Sequence, residues 1–289
     1  MTPWRASRTT AGLAAALCVV ILLSSCSSVF FYPHRITVYT PEALHLKSRD
    51  IAFKASDGTE LFGWLLLAQG QARGTVVFLH GNAENMSTHI QAVAWLPARG
   101  FNVFIADYRG YGRSGGVPEI AGVYADARRA WEVATEQPET RDGRFILFGQ
   151  SLGGALALRL AADLPDRSKL AAVIAESAFS SYRDIAREKL ARFWLTWPLQ
   201  WPLSLIVNNR YSPIDTVAHI SPTPLLLMHG TTDDIVPAHH SRRLYEAARE
   251  PKEIWYYNGG HTRAFLDPAM RERFVDYLDR HLARNADQE

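Results

Sequence analysis

The chain has 289 residues, of which 47% are hydrophobic and 21% are charged, and its formal net charge is +2. This composition is ordinary for a globular protein and excludes disordered and collagen-like classes. The positive excess equals Arg5 and Arg8, and no basic run follows them, so a nucleic-acid partner is excluded. A chain of this length buries enough apolar surface to fold as one large domain without disulfides or a structural metal.

The amino terminus has the pattern of an export signal. Arg5 and Arg8 precede the unbroken apolar stretch 11–23, and small residues follow it. This order is typical of a secretory signal peptide. A helix of that length rises only about 20 Å, less than the hydrocarbon thickness of about 30 Å. The alternative is an uncleaved anchor that continues through the apolar residues 29–32.

Leu23-Ser24-Ser25-Cys26 resembles the bacterial lipobox. The resemblance implies a lipoprotein signal peptide at 1–25 and lipidation of Cys26, which would anchor the protein to a membrane without spanning it. The implied location is the bacterial cell envelope, and the outer membrane if the source is Gram-negative, because Ser27 is not Asp. Residues 26–49 are then expected to form a tether, and residues 50–289 the folded domain.

Eight short apolar segments predict β-strands, and five periodic segments between or after them predict helices. The strands are expected at 51–55, 60–68, 75–79, 102–106, 145–148, 171–175, 225–228 and 252–257, and the helices at 86–98, 123–135, 152–162, 241–249 and 268–283. Asp57-Gly58 between the first two strands is a hairpin turn signal. The alternation that follows predicts an α/β fold with a mostly parallel eight-stranded sheet flanked by helices.

Residues 179–213 do not fit this alternation and are expected to form a small aromatic cap insertion. The uncharged stretch 193–207 contains Trp194, Trp197 and Trp201. It has 15 residues and two interrupting prolines, which argues against a transmembrane helix. Two hypotheses stay open for its aromatic residues: they pack the cap onto the core, or they line an acyl pocket.

The strongest chemical signal is a sharp turn with Ser151 at its apex. The strand at 145–148 runs into Gly149-Gln150-Ser151-Leu152-Gly153 and then into an Ala/Leu-rich helix, the arrangement typical of a nucleophile elbow. Glycines on both sides let the backbone hold a strained turn, and the helix start favours a developing oxyanion. A second G-x-S-x-G, around Ser114, is followed by Val-Pro rather than by a helix and is interpreted as a structural loop.

The order Ser, acid, His along such folds indicates the partners of Ser151. Either Asp233 or Asp234 could be the acid, because both follow the strand at 225–228. His261 is the candidate base, since it alone of the ten histidines follows the last strand on a glycine-rich loop. No metal-binding motif or phosphate-binding loop occurs, so no cofactor or metal is predicted.

The loop that follows the strand at 75–79 is expected to contribute to an oxyanion hole. Asn82 lies in this loop, and Leu152 directly follows the candidate nucleophile. Their backbone N–H groups are the predicted oxyanion donors. His80, in the same loop, is interpreted as a packing residue rather than a second base.

Five segments together resemble the α/β-hydrolase superfamily, especially its serine-aminopeptidase-like and depalmitoylating-hydrolase branch. They are HGNAEN from His80, DYRGYGRSGG from Asp107, GQSLGGA from Gly149, HGTTDDIVP from His229 and GGH from Gly259. The resemblance implies the α/β-hydrolase fold, assigns the acid to Asp233, and indicates a serine hydrolase that cleaves esters or thioesters of small acyl substrates. A serine peptidase of short peptides and an inactive hydrolase-fold binding protein of the envelope are the alternatives.

Overall fold

The computed structural model describes residues 31–283. The predicted signal peptide 1–25 and the predicted lipidation site Cys26 lie outside this range. Across 31–283, no helix is both long enough and apolar enough to cross a membrane.

The described residues contain one large sheet and a short two-stranded pair. The strands are β1 (Tyr32–Pro33), β2 (Ser48–Lys54), β3 (Glu60–Leu66), β4 (Gly74–Leu79), β5 (Ala83–Glu84), β6 (Phe101–Asp107), β7 (Phe145–Gln150), β8 (Leu170–Glu176), β9 (Leu225–Gly230) and β10 (Lys252–Tyr257). The large sheet has the order β10-β9-β8-β7-β4-β6-β3-β2. Strand β3 runs antiparallel to both of its neighbours, β2 and β6, and every other pair of the large sheet is parallel. All eight predicted strands are therefore present in a mostly parallel sheet.

The central strands are apolar along their whole length because helices cover both faces of the sheet. Every residue of β4, β6, β7, β8 and β9 is buried. Alternate residues of β4 enter separate cores: Val77 and Leu79 pack on one side, Val76 and Phe78 on the other. This two-sided core fixes the positions of the strand ends at which the candidate site residues lie.

Seven α-helices lie among residues 31–283. They are α1 (Met86–His89), α2 (Ile120–Glu136), α3 (Leu152–Asp163), α4 (Tyr182–Ala191), α5 (Gln200–Ile206), α6 (His239–Ala247) and α7 (Pro268–Ala283). Helices α4 and α5 form the cap insertion between β8 and β9.

The prediction of one helix over 86–98 is wrong. Helix α1 ends after four residues, and 3-10 turns follow at Ile90–Ala92 and Pro97–Arg99. Ile90, Val93 and Leu96 are fully buried and three residues apart. That spacing suits the three-residue period of a 3-10 helix, and Pro97 disfavours α-helix in the residue before it.

The segment expected as a tether contacts the folded domain over its described part. Strand β1 pairs in parallel with β5, and Phe31 is buried in one of the two cores. The side-chain amide of Asn85 donates hydrogen bonds of 2.8 Å to the carbonyl oxygens of His34 and Ile36. Residues 31–36 therefore lie against the loop that follows β4.

Candidate active site

Ser151 occupies a strained turn between β7 and α3. Its φ is 54°, a left-handed value that non-glycine residues rarely adopt. A Cβ on Gly153 would lie 1.9 Å from the carbonyl oxygen of Leu79, and one on Gly149 would lie 2.0 Å from the carbonyl oxygen of Gly153. Only glycine fits at both positions, so the sequence allows this turn to pack tightly and hold Ser151 in strain.

Asp233 and His261 form a hydrogen-bonded pair. His261 Nδ1 lies 2.8 Å from Asp233 Oδ2. The other carboxylate oxygen of Asp233 accepts hydrogen bonds of 2.9 Å from the backbone N–H groups of Ile235 and Val236. Asp234, the alternative that sequence reasoning left open, is exposed. The geometry therefore brings together Asp233 and His261.

The charge of this pair favours a defined histidine tautomer. Burial opposes ionisation of Asp233, but its hydrogen bond to His261 and the charge of that ring outweigh burial and lower the pKa of Asp233 to about 2. An ionised carboxylate accepts a hydrogen bond from Nδ1–H, so the proton of the neutral ring stays on Nδ1 and Nε2 is left as the basic atom of His261. This is the tautomer that a general base requires.

The Ser151 hydroxyl makes no hydrogen bond to His261 among residues 31–283. Such bonds are often long in ligand-free sites and shorten when substrate binds. The two residues are nevertheless linked through the end of β8: the N–H of Ser151 donates to the carbonyl oxygen of Glu176 at 2.8 Å, and the N–H of Thr262 donates to Ser177 Oγ at 3.5 Å. The base and the candidate nucleophile therefore lie on adjoining loops at one edge of the sheet.

Sequence reasoning missed His229, which supports the acid loop. It is fully buried, with Nδ1 2.6 Å from Ser241 Oγ and Nε2 2.8 Å from the carbonyl oxygen of Val236. Its Nε2 also lies 3.4 Å from Asp233 Oδ2. A histidine at the end of a buried strand, four residues before the acid, was the available signal.

Glu176 is a second residue that the sequence analysis missed. It is fully buried at the end of β8. Its carboxylate accepts hydrogen bonds from Gln150 Nε2 at 2.7 Å, the Tyr257 hydroxyl at 2.8 Å and the N–H of Ala264 at 3.0 Å. Burial raises its pKa. One side chain thus joins the residue before Ser151 to the loop that carries His261.

The two predicted oxyanion donors belong to segments that flank Ser151. Leu152 is the first residue of α3. Asn82 lies in the loop after β4, where its carbonyl and side-chain oxygens accept hydrogen bonds of 2.7 and 2.9 Å from the Tyr111 hydroxyl. In the same loop, a Cβ on Gly81 would lie 3.7 Å from Ser151 Cβ. This proximity is what a backbone donor to a developing oxyanion needs.

The second G-x-S-x-G sequence has a different setting. The Ser114 hydroxyl is buried, donates to the carbonyl oxygen of Asp107 at 2.8 Å and accepts from the N–H of Phe62 at 3.0 Å. Both hydrogen-bonding functions of this side chain therefore hold the loop after β6 to strand β3.

Among the described residues, one group has the spacing of metal ligands: Glu188, His239 and His240. The N–H of Ser180 donates to His240 Nδ1 at 3.2 Å, so the ring proton lies on Nε2. That nitrogen lies 3.2 Å from a carboxylate oxygen of Glu188 and donates to it. Metal binding at Nε2 would break this arrangement, so the group is better described as a hydrogen-bonded link between α4 and α6.

Comparison with known proteins identifies the family of the chain. A family model described as serine aminopeptidase, S33, matches residues 70–221, a range that includes Ser151 and ends before Asp233 and His261. The protein YfhR of Escherichia coli (strain K12) is 37% identical over 271 residues, which are 91% of this chain and 90% of YfhR.

Two further comparisons concern the fold. The α/β hydrolase domain-containing protein WAV2 of Arabidopsis thaliana is 34% identical over 224 residues, covering 74% of this chain and 71% of WAV2. A solved esterase of Pyrococcus furiosus has a TM-score of 0.69 at 23% identity and covers 88% of this chain and 98% of the esterase. The predicted α/β-hydrolase fold is confirmed.

Proposed function

Because this chain belongs to the serine aminopeptidase family S33, which is described as a hydrolase family, we propose that it is a membrane-anchored serine hydrolase of carboxylic esters or thioesters. One observation carries the proposal. The His261–Asp233 pair, with Nδ1 and Oδ2 2.8 Å apart, joins the loops after β9 and β10, and the His261 loop adjoins the strained turn that holds Ser151. A nucleophile, a base and an orienting acid in this order are the machinery of acyl transfer.

The chemistry proceeds in two steps. In the first, Ser151 Oγ attacks the acyl carbonyl carbon while His261 Nε2 takes the hydroxyl proton and then gives it to the departing alcohol or thiol. The backbone N–H groups of Leu152 and Asn82 stabilise the oxyanion. In the second, water attacks the acyl-enzyme, its proton passes through His261 to Ser151 Oγ, and the carboxylic acid leaves. Asp233 holds His261 in its reactive tautomer throughout, and no cofactor takes part.

A fluorophosphonate probe tests this assignment, because it phosphonylates only an activated serine. We expect labelling of the wild type, complete loss of labelling in Ser151→Ala, and labelling close to wild type in Ser114→Ala, which alters the second G-x-S-x-G. Thermal unfolding of all three proteins checks that they are folded. Labelling of Ser151→Ala at the wild-type rate would refute Ser151 as the nucleophile.

The acid is tested by Asp233→Asn, which favours the wrong histidine tautomer. The comparable change in the chymotrypsin-type template lowers kcat about 10⁴-fold, and we expect a loss of that order with a p-nitrophenyl ester. Asp234→Asn is the matched control and should change kcat by only a few-fold. Equal losses in the two variants would contradict the choice of Asp233.

The alternative reaction is hydrolysis of short peptides, which the description of the matching family favours. An aminoacyl ester and the matching aminoacyl anilide separate the two activities, since they differ only in the leaving group. We expect hydrolysis of the ester and none of the anilide, because an amide needs protonation of a much poorer leaving group. Hydrolysis of the anilide would favour the peptidase, and failure of the wild type to react with either the probe or these substrates would favour an inactive binding protein.

Membrane attachment is proposed to occur through lipidated Cys26, on the strength of the Leu23-Ser24-Ser25-Cys26 sequence. The proposed location is the bacterial cell envelope. Cys26→Ala is expected to abolish palmitate incorporation and to let alkaline carbonate, which removes peripheral proteins, release the protein from membranes, and Cys18→Ala is the control that should show neither change. Retention of Cys26→Ala after carbonate treatment would favour the uncleaved anchor instead.

A further inference from the structure

The cap insertion exposes an unusual amount of apolar surface. Eight large apolar side chains between residues 193 and 206 are at least 45% exposed, and we call them the cap patch. They are Phe193, Trp194, Leu195, Trp197, Leu199, Trp201, Leu205 and Ile206. Trp194 is 78% exposed. Contiguous apolar surface of this kind usually marks an interaction site. The hypothesis that the aromatic residues pack the cap onto the core is therefore wrong.

Helix α5 shows that this exposure is a systematic feature of the cap. A helix on the surface of a soluble domain normally buries its apolar face and exposes its polar one. In α5 the one fully buried residue is Ser204, whose hydroxyl bonds to the carbonyl oxygen of Trp201, while Leu205 and Ile206 are exposed. This reversed amphipathicity stabilises the cap only if something apolar covers its outer face.

The charges around the cap patch fit an anionic lipid surface. Between residues 189 and 214 the sequence contains Lys189, Arg192 and Arg210 and no Asp or Glu. The guanidinium of Arg187 also lies over the ring of Trp201, 4.5 Å from its centroid. Tryptophan is enriched at the depth of lipid headgroups, and basic residues beside an apolar face strengthen binding to anionic lipids.

The position of the cap patch also points to a membrane. The cap follows β8, and therefore lies at the same sheet edge as Ser151, Asp233 and His261, which follow β7, β9 and β10. Strand β1 docks on β5, in the loop after β4, at this edge too. Residue 31 is five residues from Cys26, a separation of at most about 18 Å in extended chain.

We propose that the cap patch binds the surface of a lipid bilayer and turns the Ser151 edge of the sheet toward it. Acyl substrates then reach the site from the lipid phase. This orientation deepens the proposed function and rests on it for the lipid at Cys26 and the reaction at Ser151. Contact between the cap patch and lipid depends on neither, since it follows from the exposed apolar residues, the basic residues beside them and the position of the cap.

Quenching of tryptophan fluorescence by brominated lipid tests that contact. Mature protein that begins at lipidated Cys26 is added to vesicles of phosphatidylcholine and phosphatidylglycerol brominated on their acyl chains, which quench only indoles that reach the acyl region. Leu195→Ser/Leu199→Ser keeps every tryptophan of this form, including the three of the cap patch. We expect strong quenching in the wild type and loss of most of it in this variant. Tyr256→Ser, at an exposed aromatic residue outside the cap, should be quenched like the wild type.

A second variant tests the same contact independently, in case the first one misfolds. Lys189→Glu/Arg192→Glu reverses two charges beside the cap patch and should reduce quenching by vesicles that contain phosphatidylglycerol, with little change for phosphatidylcholine alone. Far-ultraviolet circular dichroism reports the fold of each variant. Equal quenching of the wild type and both variants would overturn the proposal. A dimer in sedimentation that the leucine variant abolishes, without quenching in the wild type, would assign the cap patch to a second copy of the chain.

Hydrolysis of a water-soluble p-nitrophenyl ester separates this proposal from the proposed function. We expect all variants to hydrolyse it at the wild-type rate, because none alters Ser151, Asp233 or His261. An ester carried in the vesicle bilayer should be hydrolysed more slowly by the leucine variant than by the wild type. If the wild type hydrolyses neither ester, the proposed function fails, while the quenching result still decides whether the cap patch contacts lipid.

Discussion

Glu176 offers a quantitative test of how the site is held together. Glu176→Ala removes the acceptor for three buried donors, Gln150 Nε2, the Tyr257 hydroxyl and the N–H of Ala264. Leaving a buried donor unpaired costs about 1–3 kcal/mol. The Tyr257 hydroxyl keeps a contact of 3.2 Å with the carbonyl oxygen of Gly260, so its loss is partial. We expect Glu176→Ala to lower the free energy of unfolding by about 3–5 kcal/mol.

Glu176→Gln separates the role of the shape of this side chain from the role of its charge. Burial raises the pKa of Glu176, which favours the protonated acid. A protonated carboxyl and an amide both present one acceptor and one donor. If the acceptor takes the place of Oε1, which receives the hydrogen bonds of Tyr257 and Ala264, and Gln150 turns its side-chain oxygen toward the donor, Gln should cost less than about 1.5 kcal/mol. A raised pKa means that the folded state binds the proton more tightly. This contribution to stability is therefore complete below the unfolded pKa of about 4.3 and decreases as pH rises toward the folded pKa.

Urea unfolding at about pH 7 measures these costs. Glu253→Ala is the control, because this partly exposed glutamate accepts one hydrogen bond from Trp255 Nε1 and forms a surface ion pair with Arg280. Turnover of a soluble ester supplies a readout beyond stability: Glu176→Ala should lower kcat more than it raises KM, since the loop of His261 loses its support. A cost below about 1 kcal/mol for Ala would refute the argument. A cost for Gln equal to that for Ala would show that the carboxylate is ionised.

Two further predictions concern the frame of the site. Gly153→Ala should abolish activity or folding, since the new Cβ would lie 1.9 Å from a backbone carbonyl oxygen. Gly115→Ala is the control: its new Cβ would lie 3.5 Å from the nearest atom, so this variant should match the wild type in activity and thermal unfolding. Arg109→Ala should cost about 3–5 kcal/mol in urea unfolding, because Asp126 is left as a buried carboxylate without its bidentate partner. Arg113→Ala, which removes an exposed ion pair, should cost less than about 1 kcal/mol.

The sequence predicted the sheet well for a physical reason. Strands buried on both faces must be apolar throughout, so β4, β7 and β9 are recognisable as short apolar runs without any knowledge of their partners. The break of the segment 86–98 into a short α-helix and 3-10 turns could not be predicted. The spacing of the buried residues Ile90, Val93 and Leu96 fits both a 3-10 and an α-helical period over so few residues.

The site was predictable only in part. The Ser151 turn has a local signature, since clashes with neighbouring backbone demand its glycines. The choice between Asp233 and Asp234 depends on which side chain turns inward, and adjacent residues of one loop carry no such information in their sequence. Glu176 resembles any glutamate at a strand end until Tyr257 and Ala264 are seen to converge on it. The exposure of the cap patch was equally hidden, because apolar residues alone do not reveal what covers them.

Asp107 provides a test of buried charge beside the site. It is 2% exposed, and its Oδ1 accepts a 2.7 Å hydrogen bond from the N–H of Met86. Burial raises its pKa to about 7. His80 Nε2, 3.5 Å from the same oxygen, has no hydrogen-bond partner among the described residues, and burial lowers the pKa of His80 to about 3. A neutral acid facing a neutral imidazole therefore avoids two buried charges.

This arrangement fixes the sign of a pH dependence. The pKa of Asp107 is raised in the folded protein. Its contribution to the free energy of unfolding is therefore complete below the unfolded pKa of about 3.9 and decreases as pH rises, until it is lost above about 7. A rise of about three pKa units corresponds to roughly 4 kcal/mol. Asp107→Asn, whose amide presents one acceptor and one donor as the protonated acid does, should be within about 1.5 kcal/mol of the wild type in stability at about pH 4.5, and the wild type should lose several kcal/mol relative to it by about pH 7.5. Urea unfolding at both values measures it. A difference that stays constant between them would mean that Asp107 is ionised in the folded protein across this range, and the neutral pairing with His80 would then be wrong.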